Sequence, residues 1–365
     1  MKITAAVTPG KSQPFKIQEL ELDEPRENEV LVRIVGTGVC HTDLVVRDQY
    51  YPVPLPAVLG HEGSGIVERV GAAVTKVQAG DHVVLSYNSC AKCQNCKEGH
   101  YGYCNELFGY NFGASRPDGS PTLSHNGEVV HGSFFGQSSF ATYALAYERN
   151  VVKVPRNAPL ELLGPLGCGL QTGAGAVINA LRPQAGTSIA VFGTGSVGLA
   201  AVMAARVVGC TTIIGVDINP QRLEIARELG ATHTILASDH DPVAEIRQIT
   251  GDGAQYSLEC TSLPKVFRQA VDCLRLTGVC GLIGAAPLGT EATFDMNTIL
   301  FGRSIRGIIE GDSVPDLFIP RLVELYMQGR FPIDKLVKFY TLDQINQAAE
   351  DSERGDVLKP VIRMG

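Results

Sequence analysis

The sequence predicts an α/β protein in which a doubly wound parallel sheet is joined to a mainly β domain. From Thr187 onward, strand and helix patterns alternate, which is the order typical of a parallel sheet covered by helices. Before about residue 150, short strand patterns are separated by glycines such as Gly71 and Gly80, which is typical of a folded sheet or barrel. The two patterns indicate two different domains.

The length and the changes of pattern place the boundaries of these domains. A chain of 365 residues is too long for one hydrophobic core and indicates two domains of ordinary size. Mixed patterns return after about Asp312, so the chain is expected to re-enter the first domain there. We predict a first domain from residues 1–169 and 313–365 and a second domain from residues 170–312.

Three strands are expected early in the first domain. Residues 30–35 form an apolar strand pattern that Gly36 and Gly38 are expected to end, and residues 63–70 and 81–85 are further β-rich runs. Residues 105–140 are rich in Gly, Ser and Asn and show no sustained period. We therefore expect a long irregular connection there, a class that is usually functional or mobile.

The second domain is expected to alternate strands and helices along its whole length. The predicted strands cover residues 188–192, 211–216, 256–259 and 279–283, and the predicted helices cover residues 196–208, 221–229 and 266–274. This order predicts a parallel sheet with crossover helices.

A glycine pattern links the first strand of this domain to its first helix. Gly193, Gly195 and Gly198 permit a tight turn, a close approach of backbone to a pyrophosphate and close packing of helix on strand. The helix N-terminus supplies N–H groups for phosphates. Asp217 follows the last glycine by 19 residues, where a carboxylate accepts hydrogen bonds from ribose hydroxyls and repels a 2′-phosphate. The pattern predicts an NAD-binding domain; the alternative is a glycine-rich turn with an unrelated surface acid.

Four cysteines in the first domain have the spacing of a metal site. Cys90, Cys93 and Cys96 follow one another at three-residue intervals, and Cys104 comes soon after. Four thiolates can close a tetrahedron around one zinc ion. The alternative is a set of unrelated cysteines in a polar loop. We predict a structural zinc.

A second metal site is expected from Cys40, His61 and Cys168, which lie 21 and 107 residues apart. Three protein ligands and an open position are typical of a catalytic zinc. Each of the three residues, taken alone, is also compatible with a place in the core. The NAD pattern favours the metal, because a dinucleotide enzyme that oxidises an alcohol needs a Lewis acid to lower the pKa of the hydroxyl.

The remaining composition narrows the class of protein. The other four cysteines, Cys210, Cys260, Cys273 and Cys280, lie among apolar neighbours and are expected to be small buried side chains without disulfides. A net charge of −7 with no basic run argues against a nucleic-acid partner and against a zinc module that binds nucleic acid. No apolar run approaches the roughly 18 residues of a membrane span, and no signal segment is evident, so a cytoplasmic protein is expected.

These motifs together resemble the zinc-dependent medium-chain alcohol dehydrogenases. The resemblance rests on residues 39–43, 60–65, 80–83 and 164–169, on the four-cysteine loop and on the glycine pattern, and covers nearly the whole chain. Within that family the chain is most similar to the NAD-dependent aryl-alcohol (benzyl alcohol) dehydrogenases of bacteria. The resemblance implies a Rossmann sheet, a GroES-like catalytic domain, two zinc ions per subunit and a homo-oligomer, either dimer or tetramer.

The resemblance also implies roles for residues near the predicted zinc ligands. Thr42 matches the hydroxyl residue that takes the alcohol proton, Asp43 orients His61, and Glu62 is an acid near the metal. In liver-type relatives, a histidine three residues beyond the hydroxyl continues the proton relay. Val45 occupies that position here, so the relay must end in water or another base.

Further matches concern the cofactor. By resemblance, His41 touches the pyrophosphate, Lys359 is a basic residue near it, Val197 lies on the nicotinamide face, and Asp217 and Arg222 lie at the adenosine ribose. For Arg222, a solvated position on the helix is the alternative.

Six apolar or aromatic residues match the substrate-pocket segments of the family: Tyr51, Tyr87, Tyr103, Leu107, Phe134 and Phe135. Such side chains suit a flat ring, although several of them are also compatible with ordinary core positions. We predict oxidation of an aromatic primary alcohol to its aldehyde. The alternatives are medium-chain aliphatic alcohols, polyols, the glutathione adduct of formaldehyde, or a zinc-stabilised NAD-binding module with a structural or sensing role.

Overall fold

The computed structural model describes residues 1–365. The chain forms two compact units, the first made of Met1–Gly169, Val314–Met327 and Ile333–Gly365, the second of Leu170–Ser313 and Gln328–Pro332. The segment Gln328–Pro332 of the second unit lies inside the range 313–365 that was predicted for the first domain. There, the guanidinium of Arg330 lies 3.5 Å from the Val207 carbonyl oxygen. A segment this short carries no periodic pattern from which its partner could be predicted.

The strands are named in chain order. They are β1 (Lys2–Thr8), β2 (Lys16–Leu22), β3 (Glu29–Gly38), β4 (Ala57–Val58), β5 (Glu62–Val70), β6 (His82–Leu85), β7 (Leu123–His125), β8 (Glu128–Val130), β9 (Tyr143–Tyr147), β10 (Val151–Lys153), β11 (Ser188–Phe192), β12 (Thr212–Asp217), β13 (His233–Leu236), β14 (Ala254–Glu259), β15 (Leu274–Leu282), β16 (Ser304–Gly307), β17 (Val337–Thr341) and β18 (Lys359–Arg363).

The α-helices are named in the same way. They are α1 (His41–Arg47), α2 (Gln94–Lys97), α3 (Leu107–Phe112), α4 (Gly169–Gly175), α5 (Ser196–Val208), α6 (Pro220–Leu229), α7 (Pro242–Thr250), α8 (Pro264–Asp272), α9 (Met296–Leu300), α10 (Pro315–Met327) and α11 (Ile345–Arg354). A π-helical turn covers Ala176–Leu181, and 3₁₀ turns cover Tyr101–Tyr103, Phe134–Gly136, Glu148–Asn150, Leu160–Leu162, Gly164–Gly167, Glu310–Asp312, Ile333–Leu336 and Leu342–Gln344.

The first unit is built on two sheets. One has the order β4-β1-β2-β7-β8, and the other has the order β10-β6-β5-β3-β18-β17 with β9 also paired to β3. Most neighbours are antiparallel, and β3 lies at the centre of the larger sheet, paired with β5, β9 and β18. The prediction of a mainly β first domain is confirmed.

Glycines in β3 make room for neighbouring groups. The prediction that glycines break the strand is wrong for Gly36, because β3 continues through it to Gly38, which is the last residue of the strand and pairs with Glu62. A Cβ at Gly36 would lie 2.5 Å from the Glu161 carbonyl oxygen, and one at Gly38 would lie 2.0 Å from Glu62 Oε2. These glycines therefore permit close approach within a continuous strand.

The second unit has one six-stranded sheet with the order β13-β12-β11-β14-β15-β16, and every pair in it is parallel. The doubly wound sheet predicted from the alternating pattern is confirmed. Strand β11 is buried throughout, and α5 buries the run from Gly198 to Ala205 against the sheet. Both elements have the predicted bounds, because a fully apolar strand and a glycine-bounded helix are strong local signals.

The segment 105–140 is more regular than predicted. It contains the helix α3 and the strands β7 and β8, which pair with each other and, through β7, with β2. Each of these elements is only three to six residues long. Elements this short show too few periods for a pattern to be recognised.

Candidate metal centres and cofactor site

Four side chains of the first unit converge on one point. The ligand atoms of Cys40, His61, Glu62 and Cys168 all lie within 4.8 Å of one another. Cys40 precedes α1, His61 precedes β5, and Cys168 precedes α4, so each ligand is fixed at the end of a regular element. The structure thus brings together the three residues predicted to hold a catalytic zinc and Glu62, the acid expected near the metal.

The ring of His61 is oriented by Asp43. Asp43 Oδ1 lies 2.9 Å from His61 Nδ1 and also accepts the Gly60 N–H at 3.0 Å, while its Oδ2 accepts the Cys40 N–H at 3.0 Å. Both Asp43 and His61 are fully buried. One carboxylate therefore fixes a predicted imidazole ligand and the backbone of a predicted thiol ligand.

The other ring nitrogen of His61 shows that this site fits a metal ion. His61 Nε2 is buried and has no hydrogen-bond partner in the protein, which is rare for a buried polar atom. Its neighbours are the thiols of Cys40 and Cys168. The hydrogen bond from Cys168, together with Lys359 and His61, holds the pKa of Cys40 well below its ordinary value despite burial. Two thiols and one imidazole are a zinc ligand set, and thiolate is the form that binds the ion.

Glu62 is paired with Lys359. The Lys359 ammonium donates to both carboxylate oxygens of Glu62, at 3.1 and 3.0 Å, and Glu62 Oε1 also accepts the Gly169 N–H at 3.1 Å. Burial raises the pKa of Glu62, and the ammonium acts against that rise. This ion pair was not predicted from the sequence, because the partners lie 297 residues apart. The position of Lys359 near the cofactor pyrophosphate stays a prediction.

The four-cysteine loop forms a second cluster. The Sγ atoms of Cys90, Cys93, Cys96 and Cys104 lie within 4.8 Å of one another. Backbone N–H groups point at the sulfurs: Cys93 N lies 3.3 Å from Cys90 Sγ, and Cys90 N lies 3.2 Å from Cys104 Sγ. N–H groups of Asn105 and Cys96 lower the pKa of Cys93 to about 6. Four thiols with N–H donors to sulfur fit a closed zinc site, which adds stability and leaves no position for a substrate.

The Cys104→Ser variant is expected to lower the thermal stability of the protein and to remove one zinc ion per chain. Loss of a structural zinc removes its binding free energy from the folded state, and each kcal/mol lowers Tm by about 2–4 °C in domains of about 150–250 residues. Metal analysis and a thermal scan measure both effects. Cys210→Ser is the matched control, because Cys210 lies outside both clusters and its Sγ is 3.7 Å from the Thr187 hydroxyl, which also suits serine. An unchanged Tm and zinc content in Cys104→Ser would contradict the assignment.

Aromatic rings surround His61. The Phe135 ring stacks on the imidazole with centroids 4.5 Å apart at 30°, and the Phe134 ring meets it edge-on at 5.5 Å and 90°. Phe112 contacts both phenylalanines, at 5.9 and 5.2 Å, and also contacts Tyr51 at 5.9 Å. Three of the predicted pocket residues are therefore part of one aromatic cluster beside the predicted zinc ligand.

Phe112 and its neighbour Phe108, whose rings are 5.6 Å apart, were not among the residues predicted for the pocket. Both belong to α3, and the four-residue spacing of two phenylalanines is the signal that marks one face of a helix. Phe108 is 65% exposed, so the cluster extends from buried His61 to the protein surface.

The other predicted pocket residues lie in different surroundings. Leu107 packs against the four-cysteine cluster, and Tyr103 contacts the His100 ring at 6.4 Å. Tyr87 is buried in the same apolar core as Phe134 and Phe135. A place for these three residues in the substrate pocket stays a prediction.

The glycine pattern of the second unit has the geometry of a phosphate-binding turn. Gly193 has φ +89°, a conformation that L side chains rarely adopt, and a Cβ at Gly198 would lie 1.9 Å from the Gly193 carbonyl oxygen. A Cβ at Gly195 would meet nothing within 4 Å, so the backbone there is open to a ligand. Gly195 caps α5, whose first-turn N–H groups are available for phosphates.

The remaining predicted cofactor residues are placed as follows. Asp217 ends β12 and is 7% exposed, and Val197 lies half-buried in the first turn of α5. Arg222 lies in the first turn of α6, and its buried Nε has no hydrogen-bond partner. His41 is exposed at the start of α1. None of the helices combines the length and apolarity that a membrane span requires.

Two family models match this chain. The model of the alcohol dehydrogenase GroES-like domain matches residues 26–156, and that of the zinc-binding dehydrogenase matches residues 196–325. Geraniol dehydrogenase of Castellaniella defragrans is 46% identical over 98% of this chain and 96% of its own length.

Solved structures with the same fold include two close relatives. Benzyl alcohol dehydrogenase from Acinetobacter calcoaceticus is 54% identical, with a TM-score of 0.97 and 100% of each chain covered. An alcohol dehydrogenase zinc-binding domain protein from Burkholderia ambifaria is 58% identical, with a TM-score of 0.99, over 100% of this chain and 99% of its own. The chain therefore belongs to the zinc-binding medium-chain alcohol dehydrogenase family and is a zinc-dependent alcohol dehydrogenase.

Proposed function

We propose that this dehydrogenase oxidises primary alcohols whose carbinol carbon carries an aromatic ring, with NAD⁺ as the hydride acceptor. The observation that carries the proposal is the stack of Phe135 on His61 at 4.5 Å, continued by Phe112 and Phe134. Aromatic side chains prefer offset-stacked or edge-on ring partners, worth about 0.5–1.5 kcal/mol beyond their buried area. A carbinol beside His61 would place its ring against this aromatic cluster.

The residues of the first unit support the chemistry at the alcohol oxygen. Zinc held by Cys40, His61 and Cys168 would polarise that oxygen, as it lowers the pKa of bound water from about 15.7 to about 7. Thr42 accepts the alcohol proton at its hydroxyl oxygen and releases the proton that this hydroxyl carried before. The half-buried Thr42 lies between Cys40 and Asp43 in the chain, and the hydrogen bond from Cys40 N to Asp43 Oδ2 fixes the start of α1. NAD⁺, when bound, would supply the hydride acceptor for the carbinol carbon, and the products would be the aldehyde, NADH and the proton that Thr42 passes on.

The second unit supports NAD as the cofactor. The open backbone at Gly195 and the N–H groups of α5 suit a pyrophosphate, and Asp217 places an acceptor for ribose hydroxyls at the end of the adjacent strand. A 2′-phosphate near this carboxylate is repelled, so NAD⁺ is favoured over NADP⁺. His41, Val197, Arg222 and Lys359 keep the roles that the family resemblance gives them as part of this proposal.

A second candidate substrate class is the allylic alcohols. It is favoured by the geraniol dehydrogenase relative, 46% identical to this chain. An allylic alcohol, like a benzylic one, has an sp² carbon beside the carbinol, and a flat apolar body suits the same aromatic cluster. The two classes differ in ring stacking, which only the aromatic alcohol offers.

A substrate panel with purified zinc-loaded enzyme tests the proposal. The comparison is kcat/KM for benzyl alcohol, geraniol, 1-hexanol, sorbitol and S-(hydroxymethyl)glutathione at saturating NAD⁺. We expect kcat/KM for benzyl alcohol to exceed that for 1-hexanol by about ten-fold. This ratio corresponds to about 1.5 kcal/mol, the upper end of the range for one aromatic stacking contact. Phe135→Leu is expected to narrow this gap, because leucine keeps apolar bulk without a ring. A maximum at geraniol would select the second candidate, and a maximum at any other substrate would refute both.

We propose that the enzyme is a homo-oligomer, a dimer or a tetramer, and that the edge strand β16 forms a subunit contact. All four residues of β16 are exposed at the open edge of the parallel sheet. Apolar side chains in the strand and in the chain segments next to it in sequence are also exposed: Leu300, Phe301, Ile305 and Ile309. An open edge with an apolar surround is a surface that soluble proteins normally cover.

The Ile305→Asp variant is expected to shift the enzyme toward a smaller assembly. A charge on β16 opposes burial of this edge against a second copy. Light scattering coupled to size exclusion measures the mass. Ile17→Asp is the matched control, since Ile17 lies on a strand and is 42% exposed, compared with 39% for Ile305. An equal mass for both variants and the parent would remove β16 from the interface.

A further inference from the structure

The carboxylate of Asp217 is held by the glycine turn itself. Thr194, which lies between Gly193 and Gly195, donates two hydrogen bonds to Asp217 Oδ2: one from its backbone N–H at 2.7 Å and one from its hydroxyl at 2.9 Å. The N–H of Asn219 donates to Asp217 Oδ1 at 2.9 Å. The residue that faces the ribose in the proposed function is thus fixed on both of its oxygens.

These bonds leave the two oxygens unequal. A carboxylate offers about four lone-pair positions, about two on each oxygen. The two donors of Thr194 occupy the lone-pair positions of Oδ2, whereas Oδ1 has a single donor, the N–H of Asn219. Oδ1 is therefore the oxygen with an open position for a ribose hydroxyl.

Thr194 is closely packed as well as hydrogen-bonded. It is fully buried, and its methyl group faces Gly215 in the middle of β12. A Cβ at Gly215 would lie 3.3 Å from Thr194 Cγ2 and 3.4 Å from Ala226 Cβ. The missing side chain at Gly215 makes the space in which a β-branched residue sits, and a β-branched side chain has few χ1 choices. The hydroxyl is thereby kept on the carboxylate.

We propose that Thr194 is a positioning residue for cofactor choice: its hydroxyl locks the Asp217 carboxylate so that Oδ1 faces the adenosine ribose. This inference rests on the proposed NAD dependence. Without the hydroxyl, Oδ2 keeps one donor and the carboxylate can turn toward other donors or water. A turned carboxylate binds the ribose hydroxyl less well and repels a 2′-phosphate less strongly. The preference for NAD over NADP therefore becomes smaller.

The test compares Thr194→Val with Thr194→Ser in the full-length zinc-loaded enzyme. Valine keeps the backbone N–H bond and the contact with Gly215 and removes only the hydroxyl, whereas serine keeps the hydroxyl. The readout is the affinity for ADP-ribose and for 2′-phospho-ADP-ribose by calorimetry, which needs no turnover. We expect Thr194→Val to narrow the ratio of the two affinities by about ten-fold, the scale of one hydrogen bond to a charged group. Thr194→Ser should stay within about two-fold of the parent. In kinetics with benzyl alcohol, the change should fall on the KM for NAD⁺ more than on kcat.

Thr234→Val is the matched control. The Thr234 hydroxyl is buried without a hydrogen-bond partner, and its methyl carbon lies 3.9 Å from the Cβ position at Gly215. The same chemical change in the same region, without a bond to Asp217, is expected to leave the affinity ratio unchanged.

The outcomes separate the inference from the proposed function. If Asp217→Ala narrows the ratio and Thr194→Val does not, the positioning role is refuted and the NAD assignment stands. If Asp217→Ala leaves the ratio unchanged, the proposed role of Asp217 fails first. Equal weakening of both ligands with a lower Tm in Thr194→Val would show a purely structural role and would also refute the inference. Should Thr194→Val not fold, Thr194→Ala against Thr194→Ser gives the same comparison.

Discussion

Replacing Cys168 with serine is expected to lower turnover by about 10³-fold or more and to reduce the zinc content from about two ions per chain to about one. Cys168 is buried beside Cys40 and His61, where it supplies one of the two thiols of the ligand set. A serine hydroxyl is a poor zinc ligand, and the remaining two ligands leave an incomplete site. Loss of a Lewis acid forfeits several kcal/mol of transition-state stabilisation, and each 1.36 kcal/mol is ten-fold in rate.

The control for this variant is a cysteine outside both clusters. Cys210→Ser should keep both zinc ions and turnover near the parent values, because Cys210 lies outside both clusters and its thiol is 3.7 Å from the Thr187 hydroxyl, which also suits serine. Metal analysis per chain and kcat on benzyl alcohol are measured for both variants. A Cys168→Ser enzyme that kept one zinc and full turnover would refute the catalytic site, whereas equal losses in both variants would indicate a general sensitivity of the fold.

Replacing Thr42 with valine is expected to lower kcat by about 10²–10⁴-fold, the range of general acid–base catalysis. Valine has the shape of threonine and lacks the hydroxyl that is proposed to accept the alcohol proton. Thr42 is half-buried on α1, so the substitution adds no cavity. Thr42→Ser is the matched control and should retain most of the turnover, because the hydroxyl is preserved. NADH affinity should be unchanged in both variants, and a Thr42→Val enzyme with parental kcat would exclude Thr42 from proton transfer.

Val45 sets a limit on the path that follows Thr42. Val45 is half-buried on the same helix and has no group that can carry a proton. In the proposed mechanism the proton would therefore leave Thr42 by water or by another base, because no histidine stands at this position. The Thr42 variants test only the first transfer, which does not depend on where the path ends.

The parts of the site that follow local rules were predictable from sequence. The turn from Gly193 to Gly198, the strand before it and the acid at Asp217 form one continuous pattern, and the structure places them at the end of two adjacent parallel strands. The four-cysteine loop is equally local, with all four thiols within 15 residues. Short-range spacing determines this geometry, so spacing was sufficient to predict it.

Long-range contacts were beyond sequence reasoning. The ion pair of Glu62 and Lys359 joins residues 297 apart, and no spacing rule addresses such a pair. The place of Gly36 inside the strand was mistaken for the same reason, since the carbonyl oxygen that approaches it belongs to Glu161, far along the chain. Phe112 was missed because its helix has only six residues and lies in a segment without visible periodicity. These features depend on which elements become neighbours in space. That arrangement depends on the whole fold and cannot be predicted from local sequence.

The central claim is that a carbinol hydrogen moves directly to a bound nicotinamide in a zinc-containing enzyme. The most direct measurement uses benzyl alcohol carrying two deuterium atoms at the carbinol carbon, with NAD⁺, and mass analysis of the reduced cofactor. We predict one deuterium in each NADH formed, one in each benzaldehyde, and no incorporation of solvent hydrogen at the transferred position. Reduced cofactor without deuterium, or no reduced cofactor from an enzyme with both zinc sites filled, would contradict the account.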